Sequence, residues 1–337
     1  MNYKNNRWLL NKRPSGMPED ECWLLDKEII SDISKNEILI KVDYLSIDPY
    51  MRGRMNDSKS YAPPAKIGEP MTGETVGTVI ESKSKKFNIG DKVCAHKGWQ
   101  TYIKVSDKDI SLYKIENHEI PTHAYLGAVG MPGRTAYFGL NYVGKPKKGE
   151  TLVVSAASGA VGSVVGQLGK HNGLKVIGIA GGEMKCNYVK NELGFDECID
   201  YKSPDFKDVL TSSCDKGIDI YFENVGGITT QLIAPLLNKG ARVPICGYIS
   251  KYNSPNIIEE ETPFHVLGKL NPAPKHRFFV NTEWMDEWDA VTHELSQLVL
   301  EDKLRFKKTI TEGFENAPQG LRDVLSGKNF GKQLIKI

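Results

Sequence analysis

The chain has 337 residues, 26% of them charged and 40% hydrophobic, with a net charge of +2. That length exceeds one ordinary core and suits two domains. The near-neutral balance gives no reason to expect nucleic acid or an anionic membrane as a partner. No run of about 18 apolar residues offers a membrane span, and the opening MNYKNNRWLLNKRP lacks the apolar core of a signal peptide. The cysteines Cys22, Cys94, Cys186, Cys198, Cys214 and Cys246 are scattered with no C-x-x-C pair. Reduced thiols in a cytoplasmic enzyme explain that pattern better than a disulfide frame or a zinc site.

In chain order, residues 1 to about 122 read as β-rich. Ile38, Ile40, Val42 and Tyr44 alternate with Glu37, Lys41 and Asp43, as in a half-buried strand. Val76–Glu81 and Lys92–Ala95 are further strands, with Gly90-Asp91 as the turn between them. Two loops, SIDPYMRGR from Ser46 and SYAPP from Ser60, hold residues suited to lining a pocket. Gly130, Pro132 and Gly133 break the chain before a helix starting near Arg134. From Thr151 the pattern is βα repeated, with strands expected at 151–155, 175–180, 197–200, 218–222, 241–246 and 277–280. Helical patterns fill most of the gaps, Leu232–Leu237 among the clearest, and Trp284–Leu300 reads as one long amphipathic helix. Parallel strands need such crossovers. Six in this rhythm make the expected fold class α/β, a doubly wound six-stranded sheet of the Rossmann type. The boundaries expected are 1–122 with 304–337 for the β-rich domain and 123–303 for the dinucleotide-binding domain.

The stretch Thr151–Lys170, TLVVSAASGAVGSVVGQLGK, organises the second domain. Leu152, Val153 and Val154 make a strand that is apolar on both faces. A turn of small residues follows, and then Val161, Val164, Val165 and Leu168 at helical spacing. Such a turn leaves N–H groups and a positive helix end for a pyrophosphate. The pattern is G-x-G-x-x-G with Ala157 in place of the first Gly. Gly159 would let the backbone approach the phosphates, and Gly162 would let the helix pack close to its strand. Alone the pattern also fits a tight turn with no ligand.

The segments YLSIDPYMRGRM (from Tyr44), GMPGRTAYFGL (from Gly130), LVVSAASGAVGSVVGQLGK (from Leu152), GIDIYFENVGG (from Gly217), ICGYISKYN (from Ile245) and GKNFGKQLIKI (from Gly327) add a resemblance. In order and spacing they are similar to the zinc-free medium-chain dehydrogenase/reductases, in the group that holds prostaglandin reductases, plant alkenal double-bond reductases and bacterial curcumin reductase. The match runs over almost the whole chain. It implies a GroES-like catalytic domain beside the Rossmann domain, NADPH as cofactor, a small-molecule enone as substrate, and a homodimer.

The cofactor reading joins residues and resemblance. An NAD-preferring site usually has an acid about 20 residues past the glycines, on the ribose hydroxyls. The second strand instead ends in Gly181-Gly182, and Glu183 sits where an acid serves the next helix dipole. The resemblance makes Lys185 the partner of the NADP 2′-phosphate and puts Tyr201 at the adenosine end. It adds Ala160 and Val161 to the turn contacts, and Asn224 and Cys246 after the fourth and fifth strands. Met131 and Thr135 come near the nicotinamide, with Tyr252 beside it and Asn329 reaching the cofactor from the tail. The strand end Phe278, Phe279 and Val280 would bind the nicotinamide amide. Relatives usually have Gly where this chain has Arg277, which either alters that pocket or points to solvent.

For the chemistry, Asp48-Pro49-Tyr50 and Gly73-Glu74-Thr75 lack the Cys and His ligands of zinc dehydrogenases, and there is no four-cysteine lobe. Without a Lewis acid, reduction of an activated C=C bond asks for less than alcohol oxidation. Hydride adds β to the carbonyl, a donor faces the enolate oxygen, and a proton reaches the α carbon. Tyrosine is such a donor at neutral pH. Tyr61 ranks first, then Tyr252, then Tyr50, the outer two matching a tyrosine pair of the curcumin reductase pocket. Packing is the alternative for each. Arg52 and Arg54 suit an acidic substrate, a buried ion pair or a surface loop alike, and none of the seven histidines sits in a matched catalytic position. A quinone reductase of the same fold and a non-catalytic NADPH-binding sensor remain open alternatives.

Overall fold

The computed structural model describes residues 2–58, 60–256 and 259–337. The chain divides into a first unit, Met1–Leu126 with Lys308–Asn329 and Gln333–Ile337, and a second unit, Gly127–Lys307 with Phe330–Lys332. None of the described helices is long and apolar enough to cross a membrane.

In the first unit β1 (Tyr3–Leu10) and β2 (Trp23–Ile30) form an antiparallel pair. Next come β3 (Glu37–Ile47), the short helix α1 (Tyr50–Arg54), β4 (Thr75–Ser82), β5 (Lys92–Ala95), β6 (Tyr102–Ser106) and β7 (Tyr113–Lys114). The alternation in β3 holds on one face: Ile38, Ile40 and Val42 enter a core with Val79, Phe87, Val93, Ile103 and Val105. Leu39, on the opposite face, is also fully buried, because Ile30 and Ile33 cover it. Two apolar faces on one strand require a layer on each side.

The second unit begins with α2 (Met131–Phe138), three residues ahead of the expected start at Arg134, since Pro132 fits the first helical turn. There follow β8 (Thr151–Ser155), α3 (Gly162–His171), β9 (Lys175–Ala180), α4 (Glu183–Asn187), β10 (Glu197–Asp200), α5 (Phe206–Ser213), β11 (Ile218–Phe222), α6 (Ile228–Ile233), β12 (Leu237–Ile245), α7 (Pro263–Gly268), β13 (Lys275–Phe278) and α8 (Trp288–Leu300). The six strands are parallel, in the order β10-β9-β8-β11-β12-β13. The order reverses between β8 and β11, which is where such sheets bind ligands, at the carboxyl ends of the strands. Leu152, Val153 and Val154 are wholly buried, so β8 is the central strand. Helix α3 lies close to the sheet because Gly166 sits under the Phe195 ring, where an added Cβ would be 1.7 Å from a ring carbon.

Three expected boundaries differ. Leu232–Leu237 is not one helix: α6 stops at Ile233, a 3₁₀ turn carries Ala234–Leu236, and β12 starts at Leu237, pairing with Ile218 of β11. Gly240, at φ +84°, interrupts the strand pattern that would have shown this. The last strand runs 275–278 rather than 277–280. Residues 281–287 form 3₁₀ turns, with Trp284 at φ −126° and ψ 40°, so the long helix begins at Trp288. The Trp284 ring stacks on Phe138 with centroids 5.0 Å apart, which takes it out of helical conformation.

The tail adds β14 (Lys308–Glu312), α9 (Ala317–Leu325) and β15 (Lys332–Lys336), and Gln333–Lys336 of β15 pair with β3 of the first unit. The first-unit sheet then reads β14-β15-β3-β4-β5-β7, with β6 also on β3.

Candidate active site

The turn between β8 and α3 is built by small residues. Ala156 takes φ +52°, and its carbonyl accepts from the Gly159 N–H at 2.9 Å. A Cβ on Gly162 would lie 2.4 Å from that carbonyl oxygen, so the turn demands glycine there; at Gly159 the same distance is 3.1 Å. Ala157 departs from the usual pattern with a local cause: a Cβ on Gly178 of β9 would come 2.8 Å from its methyl, so one small residue answers the other. Ala160 and Val161 are half-buried and lead into α3, whose N-terminal dipole end points out of the turn.

At the adenosine end, Asp200 of β10 accepts from the N–H groups of Gly182 (2.8 Å) and Lys202 (2.9 Å) and so fixes both loops. Gly181 lies against Tyr201, with an added Cβ only 2.7 Å from the ring. Lys185, in the short α4, titrates below the usual lysine range, first through burial and then through the charge of Lys202. Lys202 itself lies 6.0 Å from the Tyr201 ring centroid. Two ammonium groups that repel each other are a place for a dianion. Lys202 and Asp200 were missing from the expectation; the one signal for them was position, directly after and at the end of the third strand.

At the ends of β11 and β12, Asn224 donates from Nδ2 to the Ser155 carbonyl (2.7 Å) and from its backbone to Ser155 Oγ (2.8 Å). Glu223 is fully buried, a position costly for a carboxylate unless donors surround it. Tyr221 OH (2.8 Å), the N–H groups of Val225 (2.8 Å) and Gly226 (3.0 Å), Ser155 Oγ (3.2 Å) and Thr230 Oγ1 supply them. Cys246 follows, its thiol pushed up to about 12 by burial and then by Glu223, so it is an inert contact and not a nucleophile. Tyr252 places its hydroxyl 2.6 Å from where a Cβ on Gly247 would stand, and its ring meets Tyr248 edge-on at 5.8 Å.

Met131 and Thr135 lie together at the start of α2. Thr135 Oγ1 donates to the Met131 carbonyl at 2.8 Å, and Asn281 Nδ2 reaches the same carbonyl at 3.3 Å. Phe278 ends β13, and Phe279 is buried edge-on to Phe222 at 6.0 Å. The Val280 N–H donates to the Glu283 carboxylate at 2.9 Å, and its carbonyl accepts the Glu283 backbone N–H at 3.1 Å, so Val280 caps the turn that follows. Arg277 holds the same carboxylate at 2.9 Å and lies 5.6 Å from the Trp284 ring centroid, half exposed. It points to the solvent side. In the tail, Gly331 makes a parallel bridge with Gly159 and Phe330 packs edge-on against Tyr188 at 5.1 Å, so the stretch just after Asn329 is seated beside the glycine turn.

In the first unit, α1 presents Tyr50. Its hydroxyl lies 2.9 Å from Nε2 of His96, which follows β5, and Thr72 Oγ1 is 3.4 Å from the same nitrogen. The Tyr50 phenol is held well above its usual pKa by burial, then by Asp48, Glu74 and Tyr61. Tyr61, 54% exposed, is thus within electrostatic reach of Tyr50. His96 titrates below the usual histidine value through the protein packed around it and then Arg54. Both groups are therefore neutral at pH 7. Arg52 is buried and donates to the Gly16 carbonyl (3.0 Å) and Asn56 Oδ1 (2.6 Å), so its role is structural. His96 lies 46 residues from Tyr50 in sequence, and only the sheet brings them together.

Residues 6–112 match the family described as the N-terminal domain of oxidoreductase, and residues 160–292 match zinc-binding dehydrogenase. The chain is 43% identical to the NADPH-dependent curcumin reductase of Escherichia coli K12, over 99% of this chain and 97% of that one. The chain belongs to the zinc-binding-dehydrogenase type of the medium-chain dehydrogenase/reductase family. It is also 36% identical to the 2-alkenal reductase (NADP(+)-dependent) of Nicotiana tabacum, over 90% of this chain and 88% of that one. The crystal structure of CurA in complex with NADPH from Vibrio vulnificus superposes with a TM-score of 0.91 at 44% identity, covering 98% of each chain. Among the described residues no group of three or more His, Cys, Asp or Glu side chains is placed to hold a metal ion.

Proposed function

We propose that the protein is an NADPH-dependent oxidoreductase that reduces the C=C bond of α,β-unsaturated aldehydes and ketones. The observation that carries the reading is the Tyr50 phenol, kept protonated by burial and nearby carboxylates, with its hydroxyl 2.9 Å from Nε2 of His96. The similarity to curcumin and alkenal reductases agrees with it.

The residues fit the cofactor. The glycine turn, which a Cβ at Gly162 would push apart, offers backbone N–H groups and a helix N-terminus to a pyrophosphate. Lys185, Lys202 and Tyr201 suit the adenosine 2′-phosphate, which a flexible cation pairs well. Asn224, Cys246, Tyr252, Thr135 and the strand end Phe278–Val280 would serve the nicotinamide half. Bound NADPH supplies the hydride, which the β carbon of the substrate receives. The chain then handles one proton and one developing charge. Tyr61 donates a hydrogen bond to the enolate oxygen, Tyr50 delivers the proton to the α carbon, and Tyr252 orients the ring of the cofactor. The sequence ranks Tyr61 first as proton donor or enolate clamp; this reading keeps it as the clamp and gives the proton to Tyr50, because burial and nearby carboxylates keep Tyr50 protonated while Tyr61 stands in solvent. The fold's edge strand β13 pairs with β12 alone among the described strands and is the surface through which two copies would form a homodimer.

The test is NADPH oxidation with a 2-alkenal, a bulky diarylidene ketone and a quinone, each repeated with NADH. Turnover of an enone with NADPH, giving a saturated C–C bond and an intact carbonyl, is expected. Turnover of the quinone alone would refute the reading, and so would tight NADPH binding with no turnover.

A further inference from the structure

His96 is unassigned by any reading of the sequence, yet its Nε2 is 2.9 Å from the Tyr50 hydroxyl. The direction of that hydrogen bond decides what Tyr50 can do. A phenol has one proton and an imidazole nitrogen either donates or accepts. If Tyr50 donates to His96, its proton is not aimed at a substrate. If His96 donates, the phenol proton is free to be delivered and a replacement stands behind it.

We propose that His96 is the positioning residue for Tyr50, that its Nε2–H donates to the phenol oxygen, and that it relays a solvent proton to Tyr50 after each delivery. The inference rests on the enone-reductase reading given above. Three observations carry it. His96 is exposed as a residue while its Nε2 lies 2.9 Å from the phenol oxygen, so a residue that can exchange protons with water stands directly behind the donor. Desolvation first, and then Arg54 and Lys97 set against Asp48 and Asp109, lower its pKa and favour the neutral ring, with one N–H and one lone pair as a relay requires. The charges of Asp48 and Glu74 oppose a lasting phenolate on Tyr50, so the proton it gives up must be returned at once.

The step balances. Hydride adds to the β carbon, and the C=C electron pair moves to the carbonyl as an enolate. The enolate pair takes the Tyr50 proton at the α carbon, and the O–H pair stays on the phenolate. The Nε2 proton of His96 passes to that oxygen as Nδ1 takes a proton from solvent, and the Nδ1–H tautomer so formed returns to Nε2–H by proton exchange with water before the next turnover. The chain ends uncharged, and the net input is one hydride and one solvent proton.

With NADPH and a 2-alkenal, His96→Ala should lower kcat by at least about tenfold with the NADPH Kd unchanged, and added imidazole should restore part of the rate. His96→Gln keeps a donor nitrogen but cannot pass a proton through, and should stay slow. In a Tyr50→Phe background, His96→Ala should cost nothing more, because the two act as one unit. A His96→Ala kcat within about twofold of the parent, or a full further loss in the Tyr50→Phe background, would overturn the proposal. Nitrogen NMR of the unliganded wild type tests it without turnover: the Nε2–H tautomer is expected, and the Nδ1–H tautomer would overturn it whether or not the variants fold. A wild type that shows the Nε2–H tautomer but reduces no enone would count against the enone reading and in favour of the hydrogen-bond direction.

Discussion

At the residue scale the proposed preference for NADPH rests on two ammonium groups and the lack of a carboxylate at the end of β9. Lys185 sits under the charge of Lys202, and both would gain from a dianion between them. A hydrogen bond to a charged group contributes about 1.5–3 kcal/mol, so Lys185→Ala should weaken NADPH binding about ten- to a hundredfold and leave NADH binding nearly unchanged. Fluorescence titration with each cofactor reads this, and equal losses for both would remove Lys185 as the phosphate reader. Tyr61→Phe should lower kcat on an enone while NADPH affinity holds; an unchanged kcat would take Tyr61 out of the mechanism. Asn224 could be singled out because it follows a strand end inside a recognisable segment, and Lys185 and Tyr201 because they come soon after the second and third strands of the repeat. His96 was not, because its meaning depends on α1 and the end of β5 being neighbours in the sheet, and no local spacing carries that information. Arg277 was legible as a departure but not as to its direction, which depends on Glu283 and Trp284 folding back beside it.

At the element scale the β8-turn-α3 unit and the β11 end depend on each other. Asn224 and Glu223 both hold Ser155, the last residue of β8, so the two halves of the switch point are tied by side chains and not by ladder bonds alone. Gly162→Ala would drive a methyl to 2.4 Å from the Ala156 carbonyl oxygen and force α3 off its strand. The expected cost is about 1–3 kcal/mol of stability, as for other overpacked sites, with a larger loss of NADPH affinity; a variant with the parent's melting temperature and Kd would show that the turn tolerates a Cβ. Glu223→Gln replaces an acceptor oxygen by an NH₂ group among donors, and leaving buried donors unsatisfied costs about 1–3 kcal/mol. Thermal melting would register this as a lower Tm, and an unchanged Tm would mean that the network rearranges freely. Six parallel strands were legible from their apolar runs, to within a residue or two except where a glycine broke the pattern. The end of α6 was not, since a run of leucines looks alike in a helix and in the start of a buried strand. Leu39 was likewise missed, because alternation cannot reveal that both faces of β3 are covered.

At the scale of the whole molecule, the tail returns to the first unit and is fastened there by contacts between residues about three hundred positions apart. Trp8 Nε1 donates to the Phe314 carbonyl at 2.9 Å, and Arg322 reaches Asp20 at 2.8 Å, the latter at the surface and worth little. Lys308 Nζ donates to Nε2 of His123 at 2.7 Å, and that pair makes the closure sensitive to acid. Burial first, and then the Lys308 charge, lower the His123 pKa from 6.5 to about 4. In the unfolded chain the imidazole returns to about 6.5. Between these two values the unfolded state binds more protons than the folded one, so stability falls as the pH drops. The contribution is fully present above the unfolded value and is lost progressively as the pH falls to about 4. A shift of this size sets an upper bound near 3 kcal/mol, and solvent around the pair reduces it to roughly 1–2 kcal/mol. Carboxylates held low by partners, such as Asp91, Asp109 and Asp196, lose their contributions only at lower pH. His96, also lowered, adds to the loss in the same direction. Melting of the full chain from pH 7.5 to 4.5 should therefore show a declining Tm, and His123→Asn, with no proton to gain, should flatten that decline while lowering Tm at neutral pH. An identical pH slope in the variant would mean that the Lys308 contact is not what acid breaks.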